Sequence, residues 1–409
     1  MYRITAVCAL AVAALQGRTV NPIDLLHAAT AEVAKQSAGL RNFACEETVS
    51  REFHRPGRKS LVWTDRLRLD VGVFGGREFF SWPGAPNPRY TDAAALAGGP
   101  ATSGEFGPFA IGLFLSWSEP VPLRFTGMQT LSGAPAAVYR YTVNVDSSNF
   151  LVRTGPESEA PAPYAGMIFL DPSTARVMRL TADANDLPNG SDLAKVGVDI
   201  EYGWQDSGGT RAWLPRRSMT RIAYAAGAYA VNRTEFINCR QFRSDARMSF
   251  DEDEQPRVAA PAESTAAPVP ARLIVHTAFV SGIDTRNSCT GDPIELEVVK
   301  PVESGGRTVI PRGARMFGRI VLLQRHYRNN RIVDLAIRFD HFQVGGVSRR
   351  LALGEVGGTG DRYLDEDAPI KDAMPLWPGG PPSGGARIIF IDAGKVLIER
   401  GAKWDFVTR

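Results

Sequence analysis

Gly166-Met167-Ile168-Phe169-Leu170-Asp171-Pro172-Ser173-Thr174-Ala175-Arg176-Val177-Met178-Arg179-Leu180 decides the fold class. Two short apolar runs flank a turn, and Asp171 and Pro172 supply the chemistry that sets it, so the stretch reads as a β-hairpin. The same period of two extends outward on both sides. Leu67–Val71, Val138–Val143 and Val196–Tyr202 alternate apolar and polar residues, as half-buried antiparallel strands with one wet face do. Trp213-Leu214-Pro215 through Tyr224, and Tyr229 through Phe242, continue the meander. Ahead of it, Asn21-Pro22-Ile23-Asp24 reads as a helix start, with Asn as cap, Pro at the first helical position and an acid in the first turn. Ile23, Leu26, Val33 and Leu40 fall near one face of that helix, and Gly39 offers a stop. Ser103-Gly104-Glu105-Phe106 leads into Phe109, Leu113 and Trp117, a short aromatic helix suited to lie across an apolar face.

The chain has 409 residues, 44% hydrophobic and 22% charged, a globular composition long enough for two domains. Its 40 glycines and 28 prolines point to many turns. Residues 251–270, Asp251-Glu252-Asp253-Glu254 followed by an Ala/Pro/Ser/Thr tract, have too little apolar bulk to fold and read as a semi-extended linker. Beyond it, Leu273–Val280, Ile294–Val299, Arg315–Leu323, Ile332–Phe342, Arg387–Asp392 and Lys395–Ile398 are again short strands. The Gly/Pro/Asp-rich stretch from Gly357 to Gly385 reads as an irregular insertion. The expected division is therefore 21–248 for a first domain and 271–409 for a second.

Met1-Tyr2-Arg3, the apolar run Ile4–Leu15 and the exit Gln16-Gly17 describe a secretory signal over residues 1–17. That run is shorter than the roughly 20 residues a membrane span needs. A cytosolic protein with a frayed apolar start is the alternative. Export removes Cys8 and leaves Cys45, Cys239 and Cys289 in an oxidising setting, where one pair and one leftover is the simplest arithmetic. Cys45 and Cys239 lie in the first and last strands of the first domain, so a bridge between them would tie its two ends together. Closing so long a loop stabilises by about 3 to 5 kcal/mol. Two buried free thiols remain the other reading.

Much chemistry is missing. The five histidines, His27, His54, His276, His326 and His341, lack zinc-site spacing, and there is no CxxC, nucleophile elbow or phosphate loop. A net charge of +3 offers no global field for nucleic acid. No cofactor and no metal are expected, and no catalytic residue is assigned. Glu46 and Glu47 point to opposite faces of one strand and cannot act on one bond together; they read as a solvated and a rim residue. Cys289, in Asn287-Ser288-Cys289-Thr290-Gly291-Asp292, is a nucleophile only if a histidine lies beside it, and otherwise structural. Arg307, Arg312, Arg315, Arg319, Arg325, Arg328 and Arg331 form a basic stretch. Of these, Arg312, Arg315, Arg319, Arg325 and Arg328 are the candidate patch for an anionic partner, with the solvated face of strands as the plainer reading.

The helix, the long meander and the aromatic helix of residues 21–248 resemble the periplasmic lipoprotein-carrier (LolA/LolB-like) half-barrel, with the Gly166–Pro172 hairpin and the Trp213-Leu214-Pro215 strand as the matching features. The resemblance implies an incomplete barrel around acyl chains, with Phe106, Phe109, Leu113 and Trp117 as lid residues. In the second domain, Ser288, Gly291–Glu297, Val309–Arg319 and Val396–Ala402 are similar to the TrbI-type β-barrel of conjugative secretion systems, a family that builds rings in the outer envelope. The expected fold is thus mainly β: a curved antiparallel half-barrel with N-terminal and lid helices, plus a second small β-barrel.

The expected function is that of a non-enzymatic exported protein of the periplasm or outer envelope. Its curved sheet would bind an apolar ligand or lipoprotein acyl chain, and its barrel would serve assembly. Its partners would be a lipid or lipoprotein and an envelope protein complex, peripheral to the membrane and without nucleic acid. A structural or interaction protein is the alternative, and an envelope hydrolase a third.

Overall fold

The computed structural model describes residues 21–40, 43–56, 61–74, 77–85, 93, 96, 98–115, 120–155, 158–207, 210–241, 269–327, 332–350, 353–355, 385–390 and 396–408. The expected export signal, most of the linker, most of the Gly357–Gly385 insertion, Trp117 and Arg328 lie outside them.

The chain opens with helix α1 (Pro22–Leu40), whose first turn is capped by Asn21 Oδ1 accepting from Ile23 N at 3.0 Å. Twelve strands follow. They are β1 (Phe43–His54), β2 (Leu61–Phe74), β3 (Arg77–Ser81), β4 (Arg124–Leu131), β5 (Ala134–Val143), β6 (Leu151–Arg153), β7 (Glu159–Pro161), β8 (Tyr164–Leu170), β9 (Val177–Ala184), β10 (Leu193–Ser207), β11 (Thr210–Tyr224) and β12 (Tyr229–Gln241). Helix α2 (Pro108–Phe114) lies between β3 and β4. Ten of the strands pair antiparallel in the order β4-β5-β8-β9-β10-β11-β12-β1-β2-β3, one curved open sheet in which β1 joins the start of the meander to its end.

The hairpin that decides the fold class is β8–β9. Asp171 Oδ1 accepts from Ser173 N at 2.7 Å and from Ser173 Oγ at 2.6 Å, so the side chain supplies the turn bonds that the backbone cannot. The alternation along these strands sends Tyr139, Tyr141, Ile168, Leu180, Val198 and Ile200 to the concave face, where α1 (Leu25, Ala29, Val33) and α2 (Phe109, Leu113) cover them. Burying each large apolar side chain contributes roughly 1.5–3 kcal/mol before chain entropy is counted. The opposite face of β5 is drier than alternation predicts: Ala136, Val138 and Phe169 are buried under Leu131, Met167 and Met178.

From residue 269 the described chain continues through β13 (Ile274–Phe279), β14 (Ile283–Asp284), β15 (Pro293–Val298), β16 (Val302–Ser304), β17 (Arg307–Ile310), β18 (Arg315–His326), β19 (Ile332–Val344), β20 (Val347–Arg350), β21 (Leu353–Glu355), β22 (Gly385–Phe390), β23 (Leu397–Ile398) and β24 (Lys403–Thr408). Pairing runs β22-β19-β18-β15-β13-β24-β21, and the two ends of this arc, β21 and β22, lie side by side. Inside it sit Val275, Leu296, Ile310, Met316, Leu335, Ile337 and Phe342, almost inaccessible to solvent. Gly318 is required here, because a Cβ at that position would stand 2.2 Å from the Arg338 carbonyl oxygen of the facing strand.

The two cores are stitched along the outer edge of β2. Residues 70–74 of that edge pair with β3, and Asp65, Thr64 and Trp63 pair with Gln324, Arg325 and His326 of β18. Between them, Arg68 N donates to Thr290 O and Thr290 N to Arg66 O, both at 2.8 Å. Arg68 also pairs with Asp292 at 2.7 Å. Gly291, at φ +104°, lets the loop come this close, since a Cβ there would stand 2.2 Å from Arg68 O. No open edge remains over this part of β2.

Candidate functional site

The inward positions of β1 are Phe43, Cys45, Glu47, Val49, Arg51 and Phe53, one residue in two. Two of them are ionisable, and this turns the centre of the concave face polar. Arg51 is 2% exposed and Asp65, its neighbour on β2, 1% by side chain. The guanidinium grips the carboxylate with two bonds, Nε to Oδ1 at 2.8 Å and Nη2 to Oδ2 at 2.6 Å. Its remaining nitrogen, Nη1, donates to the backbone carbonyls of Gly98 at 2.5 Å and Pro100 at 3.5 Å. Asn232, on β12, donates to the same Pro100 oxygen at 3.0 Å.

Residues 98–107 therefore cross the concave face, held by side chains of the sheet. The next contacts are carboxyls. Glu78, on β3, accepts from Gly104 N and Phe106 N, both at 2.5 Å, one on each oxygen. Glu105 reaches back into the sheet, where its Oε1 accepts from Thr220 Oγ1 at 3.1 Å and from Thr102 Oγ1 at 2.5 Å. Glu47 completes a buried group of three.

Burial raises all three carboxyls above their ordinary range. For Glu47 the neighbouring Glu105 and Glu78 add to burial, and the shift is large. Burial and Glu105 push Glu78 up to about 8 against the backbone donors of Gly104, Phe106 and Gly107. Glu105 is raised by burial, with the hydroxyls of Thr102 and Thr220 pulling the other way. Three adjacent carboxyls in a dry site cannot all ionise. Glu78 has an N–H donor on each oxygen, which offsets only part of its upward shift. Glu47 is where a proton stays, because its Oε2 has no partner among the described residues. The hydroxyls of Tyr202 and Ser218 are likewise buried without a partner, and burial beside Glu78 and Glu105 raises the Tyr202 phenol. Among the described residues no group of three His, Cys, Asp or Glu is arranged to hold a metal ion.

From Phe106 onward the cover becomes apolar. Phe106 packs against Phe236 with ring centroids 5.5 Å apart, and Phe109 against Phe150 and Tyr164 at 5.8 and 6.1 Å. With Leu113, these candidate lid residues are buried against the sheet, pointing inward rather than to solvent. The Tyr139 hydroxyl donates to Pro22 O at 2.7 Å and fixes the start of α1 over the same face.

Cys45 and Cys239 form a disulfide. The β1–β12 register slips at this point, so that Asn238 and Cys239 share the place opposite Cys45, with Asn238 taking the left-handed conformation at φ +49°. Glu46 and Glu47 do point to opposite faces: Glu46 meets Arg68 at 3.0 Å on the outside. Glu47, read from sequence as a rim residue, is instead 7% exposed, because the segment 98–107 roofs it. Cys289 is buried, its Sγ directed at Asn287 O at 3.8 Å. Burial and the nearby Asp292 push its thiol up to about 11, the opposite of an activated nucleophile.

The candidate arginine patch is dispersed. Arg312 is exposed in a turn; Arg315 pairs with Glu295 at 3.2 Å. Arg319 stacks over Trp82 of the first sheet at 5.7 Å, and Arg325 donates to the Thr285 carbonyl at the junction of the two units. Arg51, Asp65, Glu78 and Glu105 went unnoticed in the sequence. For Arg51 and Glu47 a signal existed: they share parity with Cys45, whose inward position the disulfide demands.

No protein-family model matches the chain, and no curated protein matches it. Several solved structures are similar in part. A DUF1329 family protein from Desulfovibrio piger is 15% identical, covering 56% of this chain and 98% of its own, with a TM-score of 0.29. A domain described as an outer membrane lipoprotein-sorting protein from Vibrio parahaemolyticus is 14% identical over 54% of this chain and 93% of its own, with a TM-score of 0.27. The MucA/MucB complex of Pseudomonas aeruginosa contributes a chain 15% identical over 78% of this one and 90% of its own, with a TM-score of 0.17. The fold described above rests on the strand pairing of this chain itself.

Proposed function

We propose that the protein is a non-enzymatic exported envelope protein whose curved sheet receives an apolar ligand or lipoprotein acyl chain beneath the segment 98–115. The observation that carries this reading is the way the cover is attached. Residues 98–106 make their bonds to the sheet through side chains, Arg51, Asn232, Glu78 and Thr220, and not through strand pairing. Buried ionisable groups are costly in a core that serves packing alone, and apolar replacements of similar volume do as well or better. A set of replaceable polar bonds suits a cover that leaves and returns. Beneath α2 lies an apolar face, and each acyl methylene buried there would contribute about 0.8 kcal/mol. The disulfide supports an oxidising compartment outside the cytoplasm. No helix among the described residues is long and apolar enough to cross a membrane.

The second unit, residues 271–409, we read as a small barrel for assembly with envelope partners. A second reading, a structural or interaction protein, draws on one specific feature: α1 and α2 already fill the concave face. Lipid extraction of the purified protein, with titration of a fluorescent fatty acid, separates the two. Co-purifying lipid or saturable binding supports the carrier; neither leaves the interaction protein.

A further inference from the structure

A second site lies where the two units meet, over the convex positions of β1 and β2, with Arg51 and Asp65 also in its wall. Strand register builds it. Ser50 faces Arg66 across β1 and β2, and Thr64 faces Arg325 across β2 and β18. Residues 64 and 66 share a face, so both guanidiniums stand on the same side of one continuous surface. The turn 285–288 closes the top, and the result is a cleft of about 200 Å3 lined by Ser50, Glu52, Thr64, Arg66, Arg286, Ser288 and Arg325 among others.

The charge balance of this cleft is unequal. Every carboxylate around it is held by an arginine, one arginine being shared by two carboxylates. Asp65 is held by Arg51, and Glu52 by Arg233 at 2.7 Å. Asp284 is held by Arg286 at 2.6 Å, while Glu46 and Asp292 share Arg68 at 3.0 and 2.7 Å. Arg66 donates to the Arg286 carbonyl, at 3.5 Å, and Arg325 to that of Thr285; neither forms an ion pair among the described residues, although Arg66 lies within electrostatic reach of Asp292. Counting Arg66 and Arg325, these arginines outnumber the carboxylates by one, and an anion bound in the cleft would offset that excess. Donors converge from several directions, arginine forks from two strands and hydroxyls from Ser50, Thr64 and Ser288. That arrangement suits a tetrahedral oxyanion better than a planar carboxylate.

We infer that this seam cleft binds a phosphate group, whether free or carried on a lipid headgroup. Because the ligand would bridge β2 to β18, its binding would also strengthen the joint between the two units. The test uses the full-length mature protein and two probes at constant ionic strength: inorganic phosphate against chloride by calorimetry, and phosphatidylcholine vesicles with or without phosphatidic acid by flotation. The variants are Arg66→Gln/Arg325→Gln, which removes both cations, and Ser50→Glu. The second keeps every seam bond of the arginines and fills the cleft with a carboxylate, so its loss of binding cannot come from opening the joint. The expected result is binding of at least one probe by the wild type, weakened about tenfold or more in both variants. Phosphate binding lost in this way assigns a free phosphate or phosphate ester. Binding only of phosphatidic acid vesicles, lost in the same way, assigns a headgroup. Binding of neither probe, or binding unchanged in Ser50→Glu, overturns the inference.

Discussion

The two cores of this chain solve the same problem by different means. The core of the second unit is built from Val275, Leu296, Leu335, Ile337 and Phe342, and Asp334 is the only fully buried carboxylate assigned to that unit among the described residues. The first unit buries Glu47, Arg51, Asp65, Asp70, Glu78 and Glu105. A core that needs only to be stable uses dispersion and the hydrophobic effect, which ask for no specific geometry. A core holding paired charges is rigid while every pair is satisfied and weak once one is not. The difference teaches that the first unit is organised around the attachment of residues 98–107, and the second around its own closure.

That contrast can be broken by mutation. The largest effect is expected for Arg51→Leu, which strands Asp65 in a dry site and frees the Gly98 carbonyl, leaving Pro100 O to Asn232 alone. It should cost about 3–5 kcal/mol in urea unfolding, and Arg51→Leu/Asp65→Leu should recover most of it. A double variant as unstable as the single one would mean that the ion pair matters for its own energy rather than through its broken state. In the second core, Leu335→Ala should cost about 2–5 kcal/mol, with no compensating partner available.

Next is the response to pH. Glu78, raised to about 8 in the folded protein from an ordinary carboxyl value of 4.5, holds a proton that the unfolded chain releases. Stability of the first unit is therefore fully present below about pH 4.5 and falls as pH rises through about 8, by roughly 1.4 kcal/mol per pH unit for each proton so held. Glu47→Gln should leave stability below about pH 4 unchanged and raise it near pH 8, because burial holds the wild-type carboxyl far above its ordinary range. A variant whose melting profile parallels that of the wild type at every pH would remove Glu47 from the cluster. The smallest effect concerns Cys289: with its thiol raised to about 11 and buried, iodoacetamide should leave it unmodified in the native protein at neutral pH and alkylate it in denaturant.

Much of the scaffold was legible in the sequence because it is local. The α1 cap at Asn21 and the turn at Asp171 each depend on residues whose chemistry permits little else. The Cys45–Cys239 bridge followed from parity in the cysteine count and from position in the meander. What stayed hidden is non-local. Nothing near Trp63 announces a strand partner at His326, more than 260 residues later, because edge pairing depends on which edge is free. Nor does anything near Glu78 or Glu105 announce that a loop will bring them together. A charged residue on a strand reads as solvent-facing until its parity is compared with that of a neighbour known to be inside. Cys45, Glu47 and Arg51 offered that comparison.

The most direct test of the account is to lock the cover. Thr102 Oγ1 and Thr220 Oγ1 stand 3.5 Å apart, one on the segment 98–107 and one on β11, so Thr102→Cys/Thr220→Cys places two sulfurs within reach of a disulfide. Binding of a fluorescent fatty acid is measured for the oxidised variant, for the same sample after mild reduction, and for wild type treated identically. The account predicts that the locked form does not bind, and that reduction restores the wild-type level. Binding by the locked form equal to that of the wild type would contradict it.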